Sequence, residues 1–136
     1  MSPFETTVSV RYRDLDPMGH VNNAVYATYL EAARNDFFRD VLGTELADSD
    51  AVLASLSLEF GAPIRSDDDV TVAVWIPEVG ETSCTLAYEI RADGDRAATG
   101  ETVMVTLDEA GDPTPLPDRL RTAAADYAEP PASVDS

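Results

Sequence analysis

The stretch RDLDPMGHVNNAVYATYLEAAR, residues 13–34, gathers groups able to move protons and charge. Asp14 and Asp16 stand one residue apart, followed by His20, the chain's only histidine. Pro17, Gly19 and the pair Asn22 and Asn23 lie between Asp16 and a helical pattern. A carboxylate so placed can act as a nucleophile or as a general base. The first amides of a helix lack intrahelical partners and carry the positive end of its dipole, so they suit a developing negative charge. Gly19 permits positive φ or close passage of a ligand, and Pro17 stiffens the turn. The same residue types also build turns and cap helices. Taken alone, the local pattern favours that role for Asp16, Asn22 and Asn23.

Positioning these groups falls to the elements around them. Residues 6–13 alternate, with Val8, Val10 and Tyr12 on one face of a strand. Tyr26, Tyr29, Leu30, Ala33, Phe37 and Val41 recur every three or four residues, which predicts a helix over 24–42. Asn22 or Asn23 caps its start and Gly43 suits its end. After the acidic loop 47–50, four more strands follow. The first carries Val52, Ala54, Leu56, Leu58 and Phe60 on one face, the second Val70, Val72, Val74 and Ile76. The third carries Cys84, Leu86, Tyr88 and Ile90, the last Val103, Val105 and Leu107. Residues 92–95 read as a hairpin turn, 118–127 as a short helix, and 128–136 as a disordered tail. Residues 1–127 thus form one α+β domain: five antiparallel strands with one apolar face, covered by one long helix.

Composition narrows the classes. The formal net charge is −17, and the nine basic residues are all arginine. Such an acidic surface repels phosphate backbones, which argues against nucleic acid as a partner. A carboxylate-rich surface without lysine fits a high-salt cytoplasm, where salt screens self-repulsion. No apolar run is long enough to span a membrane, and the N-terminus has no signal-peptide pattern. The single Cys84 excludes an internal disulfide and a Cys-rich metal site. No metal cluster and no Gly-rich phosphate loop are visible. A cytoplasmic protein without metal is expected.

The element order, and Arg11, Asp14, Asp16, Gly19, His20, Val21, Asn22, Asn23, Tyr26, Tyr29, Glu31 and Arg34, resemble the hotdog-fold acyl-CoA thioesterases of the 4-hydroxybenzoyl-CoA thioesterase family. LEFGAPI (58–64) and PLP (115–117) are weaker echoes. The resemblance implies a curved antiparallel sheet wrapped around one central helix. It also implies edge-to-edge homodimers, often paired into homotetramers, with the active site at the subunit interface. The implied reaction is hydrolysis of an acyl-CoA thioester to free acid and CoA, with no cofactor beyond the substrate's own coenzyme A.

By the same resemblance Asp16 is the catalytic carboxylate, either nucleophile or general base, and the backbone N–H of Asn23 is the oxyanion donor. His20 takes an orienting or hydrogen-bonding part. A plant acyl-carrier-protein thioesterase group has a similar Asp-x-Asn-x-His run, but Met18 stands here in place of that Asn. Gly19 lets the backbone approach the thioester, and Tyr26 packs in the core or walls the acyl pocket. Arg65, Arg91 and Arg96, near strand ends, are candidates to hold the CoA phosphates. Asp14 is assigned a structural role beside Arg11 or Arg13. Glu31 and Arg34, three apart, can meet as an ion pair, and their match to the family motif implies that they fix the helix against the sheet or the partner subunit. Two other readings of the fold remain: a non-catalytic acyl-binding protein, and a hydratase or dehydratase. The latter is disfavoured by the spacing of Asp16 and His20.

Overall fold

The computed structural model describes residues 3–43 and 51–131; the acidic loop 47–50 and the tail beyond residue 131 lie outside them. Strand β1 (Phe4–Val8) leads through a 3₁₀ turn (Tyr12–Asp14) and a polar loop to helix α1 (Val25–Phe37). Strands β2 (Ala51–Phe60), β3 (Val70–Val79), β4 (Ser83–Ala92) and β5 (Asp95–Thr106) follow, then helix α2 (Asp118–Asp126). All five strands form one antiparallel sheet in the order β1-β3-β4-β5-β2. The sheet wraps α1 in the hotdog arrangement.

Helix α1 buries Tyr26, Tyr29, Leu30, Ala33, Arg34 and Phe37. Its last turn widens into a π-helical stretch over Phe38–Leu42, and Gly43 closes it at φ 71°. At the other end the Asn22 side chain accepts the Ala24 N–H at 2.9 Å, and its carbonyl accepts the Val25 N–H at 2.9 Å. Neither expected cap holds the N-cap position: Ala24 stands there without a side-chain cap, and Asn22 instead closes the turn that leads into the helix. Phe37 sits at the centre of an aromatic cluster, edge-on to Phe4 and Tyr127 with centroids 5.5 Å away in each case. The β4–β5 hairpin turns through Asp93 and Gly94, both at positive φ, as the sequence predicts.

Three strand expectations need correction. Strand β1 ends at Val8, and Tyr12 lies in the 3₁₀ turn with 92 % of its surface exposed, off any apolar face. In β2, Leu53 pairs with Met104 but Ser55 pairs with Val103, so Ala54 is an inserted residue. Leu53 therefore shares the helix-facing side with Leu56, Leu58 and Phe60, and Val52 does not. In β5, Met104 pairs with Cys84 and Thr102 with Leu86, so the even positions face the helix and Val103 and Val105 face away. The reason is packing. Gly100 lies under α1 so closely that a Cβ there would meet Leu30 Cδ1 at 3.0 Å. Under α1 the inner face of β5 is built from the small residues Ala98, Gly100 and Thr102, with Met104 filling the space beyond them.

A candidate active site before the central helix

Residues 14–22 fold back on themselves into a narrow loop. Leu15 bridges Val21, the Asp16 N–H donates to the His20 carbonyl at 2.7 Å, and the Asn22 N–H donates to the Asp14 carbonyl at 2.8 Å. The Gly19 N–H donates to the Asp16 carbonyl at 3.0 Å, with Pro17 in the turn and Gly19 at φ 80°. A side chain at Gly19 would meet open space, so the backbone angle, not room, calls for glycine there. A second segment braces the loop: the Val21 N–H donates to the Ile64 carbonyl at 2.8 Å, and His20 bridges Arg65.

Inside this loop Asp16 is half-buried. Its Oδ1 accepts the N–H groups of Met18 at 2.9 Å and His20 at 3.1 Å. Its Oδ2 accepts no hydrogen bond among the described residues. The carboxylate is thus oriented through one oxygen and open at the other. The next stretch of chain opens α1. There the Asn23 N–H donates to no group among the described residues, although its neighbours Ala24, Val25 and Tyr26 all find acceptors. The imidazole of His20 makes no hydrogen bond or ion pair with Asp16, and only its backbone is engaged.

Asp14 plays a different part. It is 4 % exposed, and its Oδ2 accepts the Arg11 N–H and the Tyr29 hydroxyl, each at 2.8 Å. Arg11 Nε lies 3.9 Å away. One carboxylate therefore ties the loop to α1 while the other is presented. Burial, then the bond to Asp14, raises the Tyr29 phenol above its ordinary pKa. Tyr26 is buried edge-on to Phe60 with centroids 5.0 Å apart, and burial raises its pKa too.

The arginines divide. Glu89 is buried on the sheet face away from α1 and holds both Arg91 and Arg96, the latter at 3.0 Å. The Arg65 guanidinium makes no hydrogen bond or ion pair among the described residues. The Ala62 N–H donates to the Arg96 carbonyl at 3.2 Å, so all three arginines sit at the end of the sheet that braces the Asp16 loop. Glu31 and Arg34 do not pair. Glu31 is exposed, while Arg34 turns inward, 6 % exposed, and its Nη1 donates to the Tyr88 hydroxyl at 3.2 Å. Arg34 falls four residues after Leu30 and three before Phe37. That spacing placed it on the buried face and was the signal available for it.

An apolar cleft of about 230 Å³ lined by Phe38, Cys84, Met104, Leu116 and Leu120 lies under the C-terminal end of α1. A 13-residue helix is roughly 20 Å long, so this cleft is remote from Asp16 of the same chain. Burial pushes the Cys84 thiol up to about 11, which makes it a poor nucleophile. Among the described residues no group of His, Cys, Asp and Glu could hold a metal ion, and no helix is long and apolar enough to cross a membrane.

The wrapped helix gives the hotdog fold, and the comparisons with known proteins make this chain a thioester hydrolase. The chain belongs to the thioesterase-like superfamily, whose family model matches residues 10–124. It is similar to a Thermus thermophilus thioesterase solved with coenzyme A and zinc: 36 % identity, 93 % of this chain and 95 % of that one, TM-score 0.83. It is also similar to a predicted thioesterase from Bacillus stearothermophilus, at 27 % identity over 96 % of this chain and 100 % of that one, TM-score 0.86. Among curated proteins it is 40 % identical over 77 residues to the chloroplastic acyl-acyl carrier protein thioesterase ATL3 of Arabidopsis thaliana. That match takes in 53 % of this chain and 40 % of the plant protein, so the chain spans less than half the length of this relative.

Proposed function

We propose that the protein is an acyl-CoA thioesterase close to the 4-hydroxybenzoyl-CoA thioesterases, with Asp16 as its catalytic carboxylate. The observation that carries this is the pairing of a carboxylate open at Oδ2 with the unpartnered Asn23 N–H at the start of α1. In the general-base route, Asp16 takes a proton from water as the oxygen bonds to the thioester carbon. The carbonyl oxygen gains charge and is met by the Asn23 amide. Collapse breaks the C–S bond, and the CoA thiolate leaves and takes up the proton. In the nucleophilic route Asp16 itself bonds to the carbon, CoA leaves, and water opens the resulting anhydride. His20 holds Asp16 through its backbone and takes no proton. Gly19 and Tyr26 border the acyl group.

Arg65, whose guanidinium has no partner among the described residues, is the first candidate for the CoA phosphates, and Arg91 and Arg96 stand beside it. The bound coenzyme A of the Thermus relative supports a CoA substrate. Two or four copies associate with the site between them, in the cytoplasm of a high-salt cell.

The test is thiol release from short, long and aromatic acyl-CoAs at low and at molar salt. Turnover on at least one class is expected, with KM falling as salt screens the repulsion between CoA and a chain of net charge −17. No turnover on any acyl-CoA would sink this reading in favour of a non-catalytic acyl-binding protein.

A further inference from the structure

The apolar cleft at the C-terminal end of α1 takes no part in the chemistry assigned to Asp16. It measures about 230 Å³, and Phe38, Leu42, Met104, Leu116 and Leu120 give it an apolar lining. Native cores leave few voids larger than a water molecule. Apolar cavities of about 150 Å³ stay dry and take up small hydrocarbons.

Two further observations mark this cleft. Helix α1 does not end above it as a regular α-helix. Residues Phe38–Leu42 form a π-helical turn, and Phe38 and Leu42 both line the cleft. Turns widened in this way are frequent at functional sites. The second observation is charge. Arg119, in the first turn of α2, is the one charged residue among the described residues that line the cleft. It is exposed and forms no ion pair among the described residues, not even with its neighbour Asp118. Its side chain donates no hydrogen bond among them either. On a chain of net charge −17, a cation at an apolar cleft is a local inversion of sign. The other polar groups there are spent or weak. Thr106 Oγ1 lies 3.2 Å from the Thr82 carbonyl and 2.6 Å from that of Thr114, and burial keeps the Cys84 thiol neutral.

An apolar floor with a single cation beside it complements a molecule that is alkyl at one end and anionic at the other. We propose that this cleft is a second ligand site, which takes a medium-chain aliphatic carboxylic acid with its chain among Phe38, Met104, Leu116 and Leu120 and its carboxylate on Arg119. A volume below the roughly 300–1,000 Å³ of sites for drug-sized ligands suits a slim chain and excludes coenzyme A. The arginine fits the head group because its fork meets a carboxylate through two N–H groups. The site is remote from Asp16, so it does not depend on the thioesterase reading. Where that reading holds, the ligand belongs to the class of compound that the reaction releases.

The experiment is calorimetric titration of the full chain with octanoate and, separately, with octan-1-ol, which has the chain without the charge. Arg119→Gln, Thr114→Trp and Asp16→Asn are titrated beside wild type. Residue 119 is exposed, and Thr114 is held by its backbone N–H and carbonyl, so both of these variants are expected to fold. Wild type is expected to bind both compounds. Arg119→Gln weakens octanoate about 10-fold or more and leaves octan-1-ol as it was. Thr114→Trp puts an indole into the cleft and abolishes both. Asp16→Asn binds as wild type does. Cys84, the chain's only cysteine, lines the cleft and reports the place: bound octanoate slows its alkylation by N-ethylmaleimide.

A wild type that binds no octanoate overturns the proposal. So does binding that Thr114→Trp leaves intact or Asp16→Asn abolishes, since the acid would then sit elsewhere. Octanoate binding unchanged in Arg119→Gln overturns it as well, because the carboxylate would not be read. Should Thr114→Trp fail to fold, Arg119→Gln and the protection of Cys84 decide. The expected pattern in a chain that hydrolyses no acyl-CoA upholds the site while removing the thioesterase reading.

Discussion

Asp14 and Asp16 stand one residue apart yet live in different environments, and that difference sorts their roles. Asp14 is buried, its Oδ2 is held by an amide and a phenol, and it serves as an anchor between loop and helix. Asp16 is half-buried at the mouth of the loop, held only by backbone amides among the described residues. Removing the Tyr29 hydroxyl should loosen the loop without touching Asp16. Tyr29→Phe is expected to cost about 1.5–3 kcal/mol, the usual worth of a hydrogen bond to a charged group. Turnover should fall with it, because a displaced catalytic group loses up to about 100-fold in rate for ~1 Å. Urea titration paired with steady-state kinetics checks both; unchanged stability would mean that Asp14 needs only the Arg11 amide.

At the scale of elements, α1 and the polar loop were the legible part. The helical period and the closing Gly43 show in the residues themselves, since local chemistry decides them. Strand faces were harder. Residues 103–107 alternate with Val at odd positions, but Met104 is apolar too, so the period alone does not say which side meets the helix. The Ala54 insertion in β2 leaves no mark in the pattern, because Val52 and Leu53 before it are both apolar and alternation alone does not say which of them joins Leu56 and Leu58. Arg34 was read as one half of a local pair, although its burial was written in its spacing. The Asp16 carboxylate and the Asn23 amide were legible as types; the hydrogen bonds that orient one and free the other required three dimensions.

The close approach of β5 to α1 gives a test at this scale. A Cβ at Gly100 would stand 3.0 Å from Leu30 Cδ1 and 3.1 Å from the Ser57 carbonyl oxygen. Gly100→Ala should therefore lower stability by about 1–3 kcal/mol through overpacking. The midpoint of denaturation should drop with its slope unchanged. A neutral or stabilising result would show that α1 rides more loosely on the sheet than its packing implies.

Over the whole molecule, stability at high pH follows from groups that burial keeps neutral. The Cys84 thiol is pushed from its ordinary 9.0 up to about 11, and the Tyr26, Tyr29 and Tyr88 phenols rise above 10.0, all chiefly through desolvation. Each folded-state value lies above the unfolded one, so the unfolded chain loses its protons first. The stabilisation is complete below pH 9 and is lost as pH climbs: from 9 to 11 for Cys84, and above 10 for the phenols. For Cys84 the loss amounts to about 2–3 kcal/mol. Thermal melts from pH 8 to 11 should show it, and Cys84→Ala should flatten the first part of the decline. A wild-type melting temperature constant across that range would mean that the thiol is not sealed by the fold.

The central claim is that Asp16, oriented by two backbone amides beside the open amide of α1, opens the thioester. The direct measurement is the rate of thiol release by Asp16→Asn against wild type, on an acyl-CoA that wild type turns over, with far-UV spectra confirming equal fold. Asn keeps the oxygen that accepts from Met18 and His20 and removes the charge. The predicted result is a fall in kcat of about 10²–10⁴-fold with the loop intact. Equal rates in the two proteins would contradict it.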